Sequence, residues 1–315
     1  MNAVQNLKTI VVSLTLVSPF LAEGSENIAR APYGQLADLP EPGQLRAGLH
    51  YQESEAYYIW DNRNRYSVDW HAHGEHYGID INQGYVSFDY GINDRWAADL
   101  TIGATTVGWR YFSNFSTTGQ PASTTGLMDT PFGVRYQIFK EGEYNSRWTP
   151  TLAFRAGAIL PGSFDEHLPF APGTSSAAIE PSLIARKHFG WTGFGGYADG
   201  LFRWNKTSGN DLYIVSFGLF QQVQGWELDA GYRHLGGTSG ETIRFDPNTR
   251  LIDYPRAPRE SNDAIDAGFH YTTKKKQFKI GFDSRVVFDG NSTDKKFWVG
   301  GFIELPFQIR KNKAE

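Results

Sequence analysis

The stretch FWVGGFIELPFQI, residues 297–309, alternates with a period of two. Phe297, Val299, Gly301, Ile303, Leu305, Phe307 and Ile309 fall on one face, and Trp298, Gly300, Phe302, Glu304, Pro306 and Gln308 on the other. That period defines a β-strand, and this one is longer than most strands of soluble proteins. One face is uniformly apolar, whereas the other mixes small, aromatic and charged residues. Such a strand suits lipid on one side and a polar lumen on the other. A soluble sandwich strand is the alternative, and the rest of the chain decides between them.

The same alternation recurs about twelve times from Gln44 onward. Leu45, Ala47, Leu49 and Tyr51 form one apolar row; Val86, Phe88, Tyr90 and Ile92 form another, and Trp96, Ala98, Leu100 and Ile102 a third. Met128, Thr130, Phe132, Val134, Tyr136 and Ile138 are expected to face outward in a fourth. The run Ile79 to Gly84 breaks the parity, which predicts a bulge. Connections alternate in length. Those near Asn93, Glu141, Trp191, Gln224 and Lys275 are short, and those near His71, Gly119, Pro169 and Pro247 are long, while two others, near Gly209 and Gly290, are not. Short turns at one end and long loops at the other are the pattern of a membrane barrel with an even strand count. The expected fold is all-β, a transmembrane antiparallel up-and-down barrel.

Composition agrees. A chain of 315 residues with 9 Trp, 16 Tyr, 22 Phe and 34 Gly favours β structure with aromatic residues to spare for interfacial girdles. A mean hydropathy of −0.44 excludes a bundle of membrane helices. The net charge of −4 gives no electrostatic footing for nucleic acid. With no cysteine, thiol catalysis and thiolate metal sites are excluded. Lys8 followed by the apolar run Ile10 to Leu21 and small residues at Ala22 and Gly24 predicts an export signal over residues 1–24. Residues 25–43, with Pro32, Pro40 and Pro42, read as an irregular lead segment, periplasmic or folded into the barrel mouth. Residues 44–310 form the expected barrel, and 311–315 a tail.

Nearly every charge within the strands falls on the inner face, where it avoids the roughly 2–4 kcal/mol that Arg or Lys costs at a lipid-facing midplane position. Lys187 is the exception. The residues expected to line the lumen are Arg46, His50, Asp89, Arg95, Asp99, Asp129, Arg135, Arg155, Glu180, Arg186, Asp199, Arg203, Glu227, Asp229, Arg233, Asp266, His270, Lys279, Asp283, Arg285 and Glu304. Such a set can form a mutually ion-paired filling or a polar conduit. His71, His73 and His76 are grouped in one polar connection, where zinc or copper binding is conceivable but a solvated loop is the plainer reading. No serine stands in a nucleophile-elbow context and no phosphate-binding glycine motif occurs, so neither a catalytic centre nor a cofactor is expected.

Tyr90-Gly91-Ile92-Asn93-Asp94-Arg95-Trp96 resembles a hairpin of the phenol-degradation meta-pathway (MetA-pathway) family of outer-membrane proteins. The run Gly126 to Tyr136 is similar to a strand of the same family, with Met128 in place of the usual glycine. Ala158-Ile159-Leu160-Pro161-Gly162 matches a third motif but lacks its threonine, and Pro42-Gly43 fits before the first strand. The resemblance implies a transporter-like barrel in the bacterial outer membrane that passes small hydrophobic or aromatic molecules. Its expected partners are outer-membrane lipid, the solute and the outer-membrane insertion machinery. The rival reading is a plugged structural or partner-binding barrel; an outer-membrane hydrolase is a distant third.

Overall fold

The computed structural model describes residues 37–61, 64–67, 78–110, 123–143, 148–164, 176–190, 192–206, 211–246, 251–253, 258–274 and 278–309. The export signal, the start of the lead segment, the loop holding His71, His73 and His76, and the tail lie outside the described residues.

Sixteen strands are described: β1 (Gln44–Asp61), β2 (Asn64–Ser67), β3 (Gly78–Gly91), β4 (Trp96–Arg110), β5 (Ser123–Leu127), β6 (Thr130–Phe139), β7 (Thr151–Leu160), β8 (Ala178–His188), β9 (Phe194–Asn205), β10 (Leu212–Val223), β11 (Trp226–Gly237), β12 (Arg244–Asp246), β13 (Leu251–Asp253), β14 (Ser261–Thr272), β15 (Lys279–Asn291) and β16 (Thr293–Gln308). Strand β2 folds back on the end of β1, β5 continues the line of β6 along β4, and β12 and β13 form a separate loop ribbon. The remainder is a closed antiparallel barrel of twelve strands, each paired with its neighbours in sequence. Strand β16 closes it against β1, with Leu45 opposite Phe307 and Leu49 opposite Ile303.

The outer surface is apolar. Leu49 and Ile179 are each 63% exposed, and Phe217, Leu228, Ile265 and Phe282 join them. No soluble surface carries such a belt without a partner, and here lipid is the partner that the belt requires. Because the twelve described strands pair in a closed ring, their backbone groups are satisfied within the wall and not by hydrocarbon.

Both ends of the barrel chain leave from the short-turn side. There Gln224 and Gly225, with φ of 53° and 94°, make the two-residue turn between β10 and β11. Positive φ at both positions matches the twist of the flanking strands. Glu141, in the turn after β6, accepts hydrogen bonds from the Lys187 ammonium, from His188 N (3.1 Å) and from His188 Nδ1 (2.8 Å). Burial pushes its carboxyl up, but these hydrogen bonds outweigh burial and hold it below the ordinary carboxylate value. Lys187, the charge out of place in the sequence pattern, is thus paired at the barrel rim.

Three details differ from the sequence expectation. Strand β3 pairs with both β1 and β4 without a register shift, so Ile79 to Gly84 contain no bulge. Ile79 and Ile81 instead point inward, with 0% and 2% exposure. The irregularity lies one hairpin later, at Met128-Asp129 between β5 and β6. It turns Met128 into the barrel against Tyr85 rather than out to lipid. The last turn falls on Ser292 alone, with φ of 50°, because β15 runs on through Asp289-Gly290-Asn291.

Candidate functional site

The barrel interior has three levels. At the long-loop end it is apolar: Leu201, Leu212, Ile214 and Leu235 pack together, as do Trp60, Ala264 and Val287. Ile243, from the loop after β11, is buried there, its N–H donating to Ser292 Oγ at 3.1 Å. An inner face recognised by its charges gives no notice of apolar residues among them, so this packing escapes a reading of the sequence.

The middle level is ionic. One chain of alternating charge crosses six strands. Arg135 of β6 pairs with Asp89 of β3, and its Nε lies 3.5 Å from Asp99 of β4. Arg155 of β7 holds Asp99 through Nη2 at 2.6 Å and Glu180 of β8 through Nη1 at 3.1 Å. Arg203 of β9 closes on Glu180 with Nη2 at 2.8 Å. Arg135 and Glu180 have 0% exposure. Gly157 makes the room: a Cβ there would lie 2.1 Å from Arg155 Nη1. Each buried charge thereby meets its opposite, the condition for holding ions away from water.

Opposite this chain lies a second group. Arg186 donates to Glu227 Oε2 at 2.7 Å and stacks 4.0 Å above the Phe220 ring. His270, fully buried, donates from Nε2 to Asp283 Oδ1 at 2.7 Å. Arg285 pairs with Asp266, its Nη2 3.0 Å from Oδ2. His50 stacks on Tyr85 at 4.4 Å and on Phe302 at 5.3 Å, and donates to or accepts from Ser87 Oγ at 2.8 Å. Phe302 bridges His50 to His270 and carries Lys279 above its ring.

The third level is a vestibule of about 700 Å³ at the short-turn end, lined by Asp38, Arg46, Arg186, Glu227, Lys279 and Glu304 among others. The described part of the lead segment sits in this mouth. The Ala37 carbonyl accepts from Gln137 Nε2 at 3.0 Å, Leu39 O accepts from Arg46 Nη2 at 3.3 Å, and Asp38 lies 3.8 Å from Arg186.

Of the residues expected to line the lumen, Asp199 and Arg233 are also buried in the interior. Two lie elsewhere. Arg95 is at the rim, where its Nη2 donates to Glu143 at 2.6 Å and its Nη1 to Ile138 O at 3.0 Å, tying two turns together. Asp129 sits at the break between β5 and β6 and accepts the Gly162 N–H at 2.8 Å.

A closed twelve-strand barrel with an apolar belt outside and paired charges inside defines a transmembrane β-barrel protein. The family described as "Putative MetA-pathway of phenol degradation" matches residues 53–300, and the chain belongs to that family. Among solved structures, an outer membrane channel from Pseudomonas putida F1 superposes with a TM-score of 0.65 at 15% identity, covering 89% of this chain and all of that one (100%). The Pseudomonas putida toluene transporter TodX matches at a TM-score of 0.43 and 9% identity, covering 92% of this chain and 95% of that one. The first likeness supports the fold; the second is too low to carry an argument. No curated protein matches the chain significantly in sequence.

Proposed function

We propose that this protein is a bacterial outer-membrane channel or transporter for small hydrophobic or aromatic molecules. The observation that carries this reading is the apolar packing inside the loop end, formed by Leu201, Leu212, Ile214 and Leu235, above an ionic level and a polar vestibule. A water-filled porin has no use for an apolar inner wall, whereas a hydrophobic solute leaving water gains roughly 25 cal/mol for each Å² it buries there. Passage requires the ionic level to part or be bypassed. The lumen-lining set, apart from Arg95 and Asp129, is then the surface that the solute meets below the apolar level. Residues 1–24 serve as the export signal, the stretch from Ala37 to Gly43 guards the inner mouth, and β16, which carries aromatic Phe307 next to its last residue Gln308, is what the insertion machinery reads.

A second reading is a barrel without transport that binds a partner through its long loops. The complete burial of Arg135, Glu180 and His270 favours it, since side chains fill the middle of the lumen. Reconstituted protein in planar bilayers, together with uptake of a labelled monoaromatic hydrocarbon by proteoliposomes, separates the two. Discrete openings or faster uptake than in empty vesicles is expected. Silence in both assays overturns the channel reading.

A further inference from the structure

Strands β11, β14 and β15 bring two carboxylates together across a missing side chain. Gly268 is the register partner of Asp229 on one side and of Asp283 on the other. A Cβ at 268 would lie 2.4 Å from Asp229 Oδ2 and 2.9 Å from Asp283 Oδ1, so glycine leaves the gap that both acids enter. One rung along, His270 is paired with Glu227.

The imidazole is oriented as a ligand would be. Its Nε2 donates to Asp283 Oδ1 at 2.7 Å, which turns Nδ1 toward Asp229 Oδ2 at 3.5 Å and Glu227 Oε1 at 3.9 Å. A carboxylate on the far nitrogen of a metal-binding histidine is the usual device for fixing tautomer and ring angle. The two Nδ1 distances are too long for good hydrogen bonds. They match the edge of a coordination shell, roughly 3.4 Å for a tetrahedral ion with bonds of about 2.1 Å. The three ligand atoms lie within 4.8 Å of one another. Asp229 is itself a pointer to a ligand: its side chain is 4% exposed and Oδ2 accepts no hydrogen bond. Glu227 is steadied from behind, since Oε2 takes Arg186 Nη2 and Gln222 Nε2 while Oε1 is left toward the cluster. Glu227, Asp229 and Asp283 set three carboxylates against the two cations Arg186 and Lys279, which leaves a residual negative charge when His270 is neutral.

We infer that Glu227 Oε1, Asp229 Oδ2 and His270 Nδ1 form a site for one divalent first-row transition-metal ion in the barrel wall. One nitrogen and two carboxylate oxygens suit zinc and its neighbours better than magnesium or calcium, which take oxygen alone, or copper(I), which seeks sulfur. Glu227 also lines the vestibule, which gives the ion a route from the short-turn mouth. A bound ion would clamp β11 to β14 at the level where the charges meet.

The test is zinc titration of the refolded, chelator-treated chain in detergent, read by calorimetry and by metal analysis after desalting, with cobalt absorption reporting the coordination number. One ion per chain is expected. Asp229→Asn weakens binding at least tenfold, Asp283→Asn weakens it roughly 10–100-fold through His270, and Gly268→Ala abolishes it by filling the gap. The triple variant His71→Ala, His73→Ala, His76→Ala retains it. Heat-modifiable mobility on gels checks that each variant is folded. Absence of stoichiometric binding by the unaltered chain overturns the proposal, as does binding that survives Asp229→Asn and Gly268→Ala or vanishes with the loop histidines. Bilayer conductance is a separate readout, so failure of this site leaves the channel reading standing, and the reverse.

Discussion

Replacing Glu180 with alanine tests whether the ionic level holds the barrel together. Glu180 has 0% exposure and takes Arg203 through Nε at 3.1 Å and Nη2 at 2.8 Å, and Arg155 through Nη1 at 3.1 Å. Its loss falls unequally on the two guanidiniums. Arg155 keeps Asp99, bound through Nε at 3.0 Å and Nη2 at 2.6 Å. Arg203 meets Glu180 through both of these bonds, so it bears most of the penalty. Removing one member of a buried ion pair costs about 3–5 kcal/mol, largely from the charge left behind. With a urea slope of about 3 kcal/mol per molar, the unfolding midpoint in liposomes drops by about 1–1.7 M. Glu180→Leu combined with Arg203→Met removes both charges, and most of that loss is expected to return. A drop below about 1 kcal/mol for Glu180→Ala, or a double variant no more stable than the single one, would refute the view that pairing at this level supports the wall.

Two further outcomes follow from the outer face and the rim. Phe217→Arg, in the middle of β10 and 54% exposed, places a cation in hydrocarbon and is expected to cost about 2–4 kcal/mol by the same unfolding assay. Glu141→Gln removes an acid whose carboxyl is held below its ordinary value of 4.5 in the folded state. A depressed folded value means that the stabilisation is present above 4.5 and is lost as pH falls through the folded value. The wild type should therefore exceed the variant in stability at neutral pH, and the two should converge in acid. A constant difference across that range would show that the hydrogen bonds to Lys187 and His188 do not depend on charge.

The outer face was legible in the sequence because lipid imposes one rule on every strand. A charge or an amide is penalised there regardless of neighbours, so Leu49, Val134, Phe217 and Ile303 announce their side by period alone. The inner face obeys no such rule. Ile79, Ile81, Ile214 and Leu235 alternate out of phase with the lipid-facing rows and are buried inside, but their apolar character is the same as that of lipid-facing residues. Their neighbours misled the reading of β3, where inward isoleucines imitated a bulge. Met128 shows the same failure in reverse, since a real irregularity beside Asp129 left the alternation looking intact. Which acids meet which bases was out of reach for a different reason. The pairing of Asp229 with Gly268, and hence the approach of His270, depends on the register between β11 and β14, which are joined through residues 238–260. Register across so long a connection is fixed by packing and not by turn geometry.

The seam between β1 and β16 carries a consequence for how the chain could be rewired. Gln44 stands opposite Gln308, and Ile309 N donates to Gly43 O at 2.9 Å, so the two ends of the barrel already touch. Topologically the wall is a ring with no first strand. A circular permutant that joins these ends and opens within residues 111–122 would keep all twelve ladders while moving Phe307 into the interior of the chain. Its folding in detergent and its insertion by living cells would then be two separate readouts, one of pairing spread around the ring and one of the position of Phe307 along the chain.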